Sequence, residues 1–343
     1  MKILWLAPMD WFTDCACREI TKNIRDKYWD KTKYDFFLRT EFMNADWYVI
    51  NPNWVMKHIL TTKNQTPLIA QIFWWNEDKL LECFKQLEKK YSDYFYWLEL
   101  NLGCPAKNVM QNWWWSAMLK DKARTLKIIK KIRETIKMPF SIKTRTWIDE
   151  NDLSAQRDFI LEASNYVDMI SIHGRTVKQW YGGDINRDFI YDIKKNANPN
   201  CKIIWNGWIK SYSELSSLTK EGWSEGQEDL DGIMIWQWAI WNPRIFTKHE
   251  KSKSELLDTI LTHLDTMLGC EYFFENKTKK TWNILYKKAE NKWDINTEII
   301  LIQFRKHLFQ YIKWIDWSKE FKVEISQIKN YDELVNKIKW FLS

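Results

Sequence analysis

The sequence predicts an α/β fold: a (β/α)8 TIM barrel followed by a small all-helical domain. Three observations carry this. Apolar runs of strand length recur eight times between Ile3 and Ile235, with amphipathic helical stretches between most of them. Eight such units over about 245 residues match the size of a closed (β/α)8 barrel, and an open doubly wound sheet has no natural place for them. After Asn242-Pro243 the pattern changes, and helical periodicity dominates from Phe246 to Ser343. The expected division is a barrel over residues 1–245 and a helical tail over 246–343.

Taken in order, Ile3–Met9 is the first strand and ends at Ala7-Pro8-Met9. Thr13-Asp14 then stands where a helix cap belongs. Tyr34–Phe42 is the second strand, and Leu68–Phe73, with Gln71 inside it, the third. Tyr96–Leu102 is the fourth; Gly103 and Pro105 end it in a sharp turn around Cys104. Phe140–Thr144, Asp168–Ile172, Lys202–Trp205 and Gly232–Ile235 complete the set. The clearest helix is Lys122–Lys137, with Leu126, Ile129, Ile132 and Ile136 at steps of three and four. Asp78–Lys90 and Asp152–Ser164 read similarly, as do Glu298–Lys313 and Tyr331–Leu342 in the tail.

The totals narrow the function classes. The chain has 343 residues, 52 basic against 45 acidic, for a net charge of +7. That balance is compatible with an RNA partner and does not establish one. The six cysteines form no zinc-like spacing, so neither a disulfide scaffold nor a metal is expected. Cys15 and Cys17 read as packing thiols of one helix. No leader-like start and no apolar run of membrane length is seen, so the expectation is a cytoplasmic protein, a monomer with no membrane partner.

Active sites of such barrels form at the C-terminal ends of the strands. Those ends carry Pro8, Met9 and Asp10, then Gln71, then Asn101 and Cys104. They continue with Lys143 and Arg145, His173 and Arg175, Asn206-Gly207-Trp208, and finally Trp236-Gln237. Each alone reads as a satisfied polar residue at a strand end, and Cys104 alone as a small packed hydrophobe. Together the set suits a planar cofactor with a phosphate: amides for ring edges, a lysine for ring charge, and glycine loops that bring backbone N–H groups to the phosphate.

The stretch NLGCPAKNV at 101–109 resembles the NxGCPxxxV signature of the tRNA-dihydrouridine synthases. APM at 7–9 with Thr13-Asp14 is similar to that family's APMxGxTD, KTRT at 143–146 to KxRTG, and SIHGRT at 171–176 to xIHGRT. WNGWI at 205–209, DGIMI at 231–235 and FRKHLFQYIK at 304–313 extend the resemblance to nearly the whole chain. It implies FMN at the barrel mouth, contacted by Pro8, Met9, Asp10, Gln71, Lys143 and His173. The phosphate would lie at Asn206, Gly207, Trp208, Trp236 and Gln237, with NADPH as reductant. It implies tRNA as partner, Cys104 as proton donor to a flipped uridine, and Asn101 and Arg145 holding the uracil. Arg175, Arg305, Lys306 and His307 would face the RNA. Gln237 replaces an arginine of the family pattern. The alternatives are another FMN barrel oxidoreductase acting on a free pyrimidine, and a tRNA-binding protein without catalysis.

One total is abnormal: 24 Trp against 9 Gly. The family pattern has glycine at 11, 74, 97, 147, 205, 236, 238, 241, 314 and 317, and within 113–115, where this chain has tryptophan. Turns and phosphate loops need glycine for steric reasons that an indole defeats. The expectation is that these positions are UGA codons read as glycine at the source and translated here as tryptophan. A chain folded as written should then crowd the phosphate site with indoles. An RNA-stacking surface would be the other reading of so many tryptophans, and it is set aside because the sites track glycine motifs rather than one face.

Overall fold

Period-two alternation decides the interior. In a computed structural model, the described residues are 2–28, 34–103, 118, 120–146, 152–176, 178–179, 182, 184–207, 209–214, 230–250, 252–273 and 297–343. Cys104, Trp113–Trp115, Trp147 and Trp208 lie outside them.

Eight parallel strands close in sequence order: β1 (Lys2–Leu6), β2 (Tyr34–Asn44), β3 (Leu68–Phe73), β4 (Trp97–Asn101), β5 (Phe140–Arg145), β6 (Met169–His173), β7 (Lys202–Gly207) and β8 (Gly232–Ile235). Closure is made by β1 against β8, with Ile3 opposite Gly232. A side chain at Gly232 would meet the Ile3 carbonyl at 2.4 Å, so only glycine fits that seam. The strand β2 runs two residues past the expected end, with a register shift between Arg39 and Phe42.

Alternate residues of each strand point inward and stack in layers. The apolar part of the interior includes Phe37, Ile69, Trp97 and Met169 at the bottom of β2, β3, β4 and β6, and Ile3, Trp5, Ile204 and Met234 on β1, β7 and β8. Above the first group lies a buried polar layer of Arg39, Gln71, Glu99, Ser141 and Ser171. Two residues beyond Glu99, Ser141 and Ser171 come Asn101, Lys143 and His173, and two beyond the apolar Ile204 and Met234 come Asn206 and Trp236. The other strand faces pack outward on the helices, as Phe84 of one helix does against Phe140 of β5.

Around the barrel run α1 (Cys15–Tyr28), α2 (Ala45–Ile50), α3 (Met56–Ile59), α4 (Glu77–Tyr91), α5 (Lys122–Thr135), α6 (Leu153–Ala163) and α7 (Arg187–Asn196). Their starts are set by Asx caps: Asn44, Asn76, Asp121 and Asn186 each accept from the backbone N–H three residues on. After the short α8 (Gln237–Trp241) come α9 (Lys253–Phe273), α10 (Thr297–Tyr311), α11 (Ser318–Ile325) and α12 (Tyr331–Leu342). No strand follows β8 among the described residues, and no helix there is long and apolar enough to cross a membrane.

Asp14 is one of the groups that join barrel and tail. Asp14 Oδ1 accepts the Cys17 N–H at 2.9 Å, the expected cap, while Oδ2 accepts from His307 Nε2 at 3.0 Å. Burial alone would raise the Asp14 carboxyl, but the His307 charge and hydrogen bond, with Lys306, outweigh it and hold it well below the usual carboxylate range. His263 packs on His307 with ring centroids 4.4 Å apart and meets the Tyr311 hydroxyl at 2.8 Å. His307 is 1% exposed. Its place on an RNA-facing surface is therefore corrected: burial leaves no face for a phosphate.

Trp11 (φ 68°) and Trp317 (φ 62°) are the non-glycine residues with left-handed backbone among those described. Both belong to the tryptophans that stand where glycine was expected. Both are exposed, at 66% and 78%, so packing of the indole does not hold them there. The Trp11 N–H donates to Glu41 Oε1 at 2.7 Å, and Trp317 precedes the first turn of α11. The loops impose the conformation, and an L side chain in it costs roughly 1 kcal/mol.

Candidate active site

A cavity of about 490 Å³ opens at the C-terminal ends of the strands. Pro8, Met9 and Asp10 reach it from the end of β1, and Asn101 from β4. Lys143 and Arg145 come from β5, His173 from β6, Asn206 from β7, and Trp236 and Gln237 from the start of α8. These are residues expected at the mouth, and the barrel brings them together.

Other expected residues stand elsewhere. Gln71 is fully buried and does not line the cavity; it sits one layer below, where Asn101 covers it. Gly207 is not among the lining residues, and a Cβ there would strike the Trp205 ring at 2.3 Å. Arg175 is 6% exposed. Arg305 gives one guanidinium nitrogen to the Ile328 carbonyl within the tail. Cys104 and Trp208 lie outside the described residues.

The floor is a chain of hydrogen bonds. Arg39 meets Glu99 with two nitrogens, at 2.8 and 2.9 Å, and Ser171 at 2.9 Å. Gln71 Nε2 donates to Glu99 Oε1 at 2.7 Å, and Asn101 Nδ2 donates to Gln71 Oε1 at 2.9 Å. Asn101 Oδ1 accepts the Gly103 N–H at 2.9 Å. From the other side Arg145 Nε donates to the Gly103 carbonyl at 2.9 Å, and Nη1 to the Thr176 carbonyl at 3.0 Å. A Cβ on Gly103 would come within 3.2–3.3 Å of Thr144 and Arg145, so this close approach suits glycine.

The electrostatics are cationic with a neutral imidazole. Burial first, then Arg145, Lys143 and Arg175, push His173 well below the ordinary histidine range. It can therefore offer one N–H and one lone pair near neutral pH. At the rim, burial and the neighbouring Glu41 raise Asp10 to about 6, against weaker lowering by His58 and Lys306.

Sequence reasoning missed several lining residues: Phe12, Phe42, Ile240, Gln310 and Lys313. The last two come from the tail, on α10 and just beyond it. Lys313 Nζ stands 3.8 Å from the Trp241 ring centroid. Trp238, Trp241 and Trp314 gather beside it, with centroids 4.7, 5.9 and 6.4 Å apart pairwise. Three tryptophans do share one face here, a feature of the stacking-surface reading. Trp236 and Trp241 also stand in the cavity wall, while Trp208 lies outside the described residues.

Asp14, His263 and His307 form one cluster of metal-capable groups, and Asp10, Glu41 and His58 another. In the first, the direct Asp14–His307 hydrogen bond already accounts for the approach of those two groups.

Known proteins give a consistent picture. The chain is 30% identical over 176 residues to a probable tRNA-dihydrouridine synthase of Rickettsia typhi, covering 50% of this chain and 53% of that protein. It is 32% identical over 191 residues to one of Rickettsia conorii, covering 52% and 54%. It is 25% identical over 342 residues to one of Aquifex aeolicus, covering 97% and 94%. The chain thus spans about half the length of the two Rickettsia relatives and nearly all of the third. The sequence model of the family "Dihydrouridine synthase (Dus)" matches residues 5–342. With that match over almost its whole length, the chain belongs to the dihydrouridine synthase family.

Proposed function

We propose that this protein is a tRNA-dihydrouridine synthase that uses FMN and NADPH to reduce the C5=C6 bond of a uridine in tRNA. The observation that carries the reading is the convergence of Asn101, Lys143, Arg145 and His173 on one cavity, beside the Gly103 loop that leads into Cys104.

The residues present fit a flavin ring. Pro8, Met9 and Ile240 offer apolar wall, Lys143 and Arg145 supply positive charge beside an electron-accepting ring, and neutral His173 and Asn101 offer hydrogen bonds at its edge. Asn206, whose Nδ2 donates to the Met234 carbonyl at 3.2 Å, would flank the phosphate end with Gln237. The flavin would supply hydride to uracil C6.

The protein's own residues do the rest. Asn101 and Arg145 are assigned to the uracil carbonyls; the Gly103 and Thr176 carbonyls fix the guanidinium plane. Cys104 is assigned the proton for C5, as general acid. Phe12 and Phe42 add apolar surface to the cavity wall. For the RNA, the proposal rests on half-buried Arg305 and Lys306 and on Lys313 at the rim. The tail's share of the cavity wall favours a macromolecular substrate over a free pyrimidine, which needs no such wall.

The test is direct. Purified protein should carry FMN absorbance, oxidise NADPH, and form dihydrouridine in tRNA from a strain lacking that modification. Flavin-loaded protein that oxidises NADPH but leaves every tRNA uridine intact would overturn the reading in favour of a free-pyrimidine enzyme. Colourless protein that binds tRNA would favour the non-catalytic alternative.

A further inference from the structure

We propose that Glu99 is a positioning residue for the reaction. Paired with Arg39, its carboxylate fixes the sense of a relay through Gln71 and Asn101 that holds the Gly103 peptide, and so the base of the loop carrying Cys104. The catalytic consequence rests on the dihydrouridine synthase reading; the relay itself does not.

The argument turns on donors and acceptors. A carboxylate only accepts, and a peptide N–H only donates. Glu99 stands at one end of the chain of bonds and Gly103 N–H at the other. Between these fixed ends the two amides have one consistent orientation. Gln71 turns its NH2 to Glu99 and its carbonyl to Asn101; Asn101 turns its NH2 to Gln71 and its carbonyl to Gly103. Reverse either amide and two donors, or two acceptors, face each other in a buried site. Asn101 thereby holds its NH2 toward the β3 side of the floor and its carbonyl on the Gly103 turn.

Arg39 and Glu99 are both fully buried. A buried ion pair stabilises little, because desolvation of two charges offsets their attraction. What this pair supplies is an acceptor that cannot turn round. The guanidinium holds both carboxylate oxygens, and Ser141 Oγ adds a third contact at 3.2 Å. Arg145 then grips the Gly103 carbonyl, so the residue before Cys104 is held at both its backbone N–H and its C=O.

The test uses the full chain with FMN. Arg39→Met combined with Glu99→Gln removes both charges at similar volume, so no charge is stranded, and the new amide in place of the carboxylate can turn either face to Gln71. We expect kcat for dihydrouridine formation to fall roughly 10- to 100-fold, the range that small misplacements of reacting groups cause. KM for tRNA, FMN content and the rate of flavin reduction by NADPH should stay at parental values, and the Gly103 amide should exchange faster with D2O. Should the double variant not fold, Glu99→Asp keeps the counter-charge but withdraws it by one methylene, and should give the same pattern. A folded variant with parental kcat and parental Gly103 exchange overturns the proposal. So does a parallel loss of FMN, tRNA affinity and kcat, which would mark general support of the barrel. If the parent forms no dihydrouridine at all, the functional reading fails, while Gly103 exchange still decides the relay.

Discussion

The β3–β6 side of the mouth and its β7–β8 side face each other across one cavity. On the first, Gln71, Asn101, Gly103 and Arg145 form a closed set of hydrogen bonds with donors and acceptors matched. On the second, Trp236 and Trp241 stand in the wall, and Trp238 stacks on Trp314 from the tail with planes 8° apart. The first side is specified by side chains and reads as complete. The second carries tryptophans where the family resemblance expects glycine, although none of Trp236, Trp238 and Trp241 holds left-handed backbone. The outer loops differ: there Trp11 and Trp317 hold left-handed backbone without packing support. The difference separates a side whose hydrogen bonds explain its backbone from loops where, at Trp11 and Trp317, the side chain contradicts it.

Four experiments break or sharpen that contrast, the largest effect first. On the complete side, Cys104→Ala should lower dihydrouridine formation about 10²–10⁴-fold, the usual worth of a general acid. FMN, tRNA binding and NADPH oxidation should be kept. A variant modifying tRNA at the parental rate would remove this cysteine from the mechanism, and one that also loses FMN would make it a packed thiol.

On the tryptophan side, glycine at 236, 238 and 241 together should raise FMN occupancy of the purified protein toward one per chain. Peptide masses from the native source should read glycine at these positions. UGG codons there, or native peptides carrying tryptophan, would sink the recoding idea and leave the stacking surface standing.

The tail comes next. Arg305→Glu with Lys306→Glu should weaken tRNA binding and reduce its salt slope by about 2, near one per lost phosphate contact, with flavin content unchanged. Unaltered affinity and slope would place the RNA elsewhere.

The smallest effect is the cleanest in cause. Trp11→Gly and Trp317→Gly should each stabilise the fold by roughly 1 kcal/mol, because glycine meets left-handed φ without steric cost. Glycine's freer unfolded chain offsets part of that gain. A fall in denaturation midpoint for both would show that these loops prefer the indole.

Much of the barrel was legible because it follows from period. Leu68–Phe73 and Gly232–Ile235 begin and end where apolar alternation does, and every strand-end residue from Pro8 to Gln237 that lines the cavity lies at or just beyond the end of such a run. Gln71 was misjudged because sequence shows a polar residue in a strand but not which layer it occupies; its partner Glu99 lies 28 residues away. Gln310 and Lys313 were missed for a related reason. Their place on the cavity wall depends on how α10 crosses the barrel, which local pattern does not encode. His307 misled because a basic motif reads as surface until its half-buried acidic partner, Asp14, is in view.

That bond between Asp14 and His307 joins residues 293 positions apart. At translation rates of 5–20 residues per second, the second partner emerges on the order of 15 to 60 s after the first. Through that interval the start of α1 has its cap but not its tail, and for most of it, until Gly232 follows, β1 has no β8. The amino terminus of this chain is thus finished last. Its apolar strand β1 is a natural client for a ribosome-bound chaperone until the closing elements arrive.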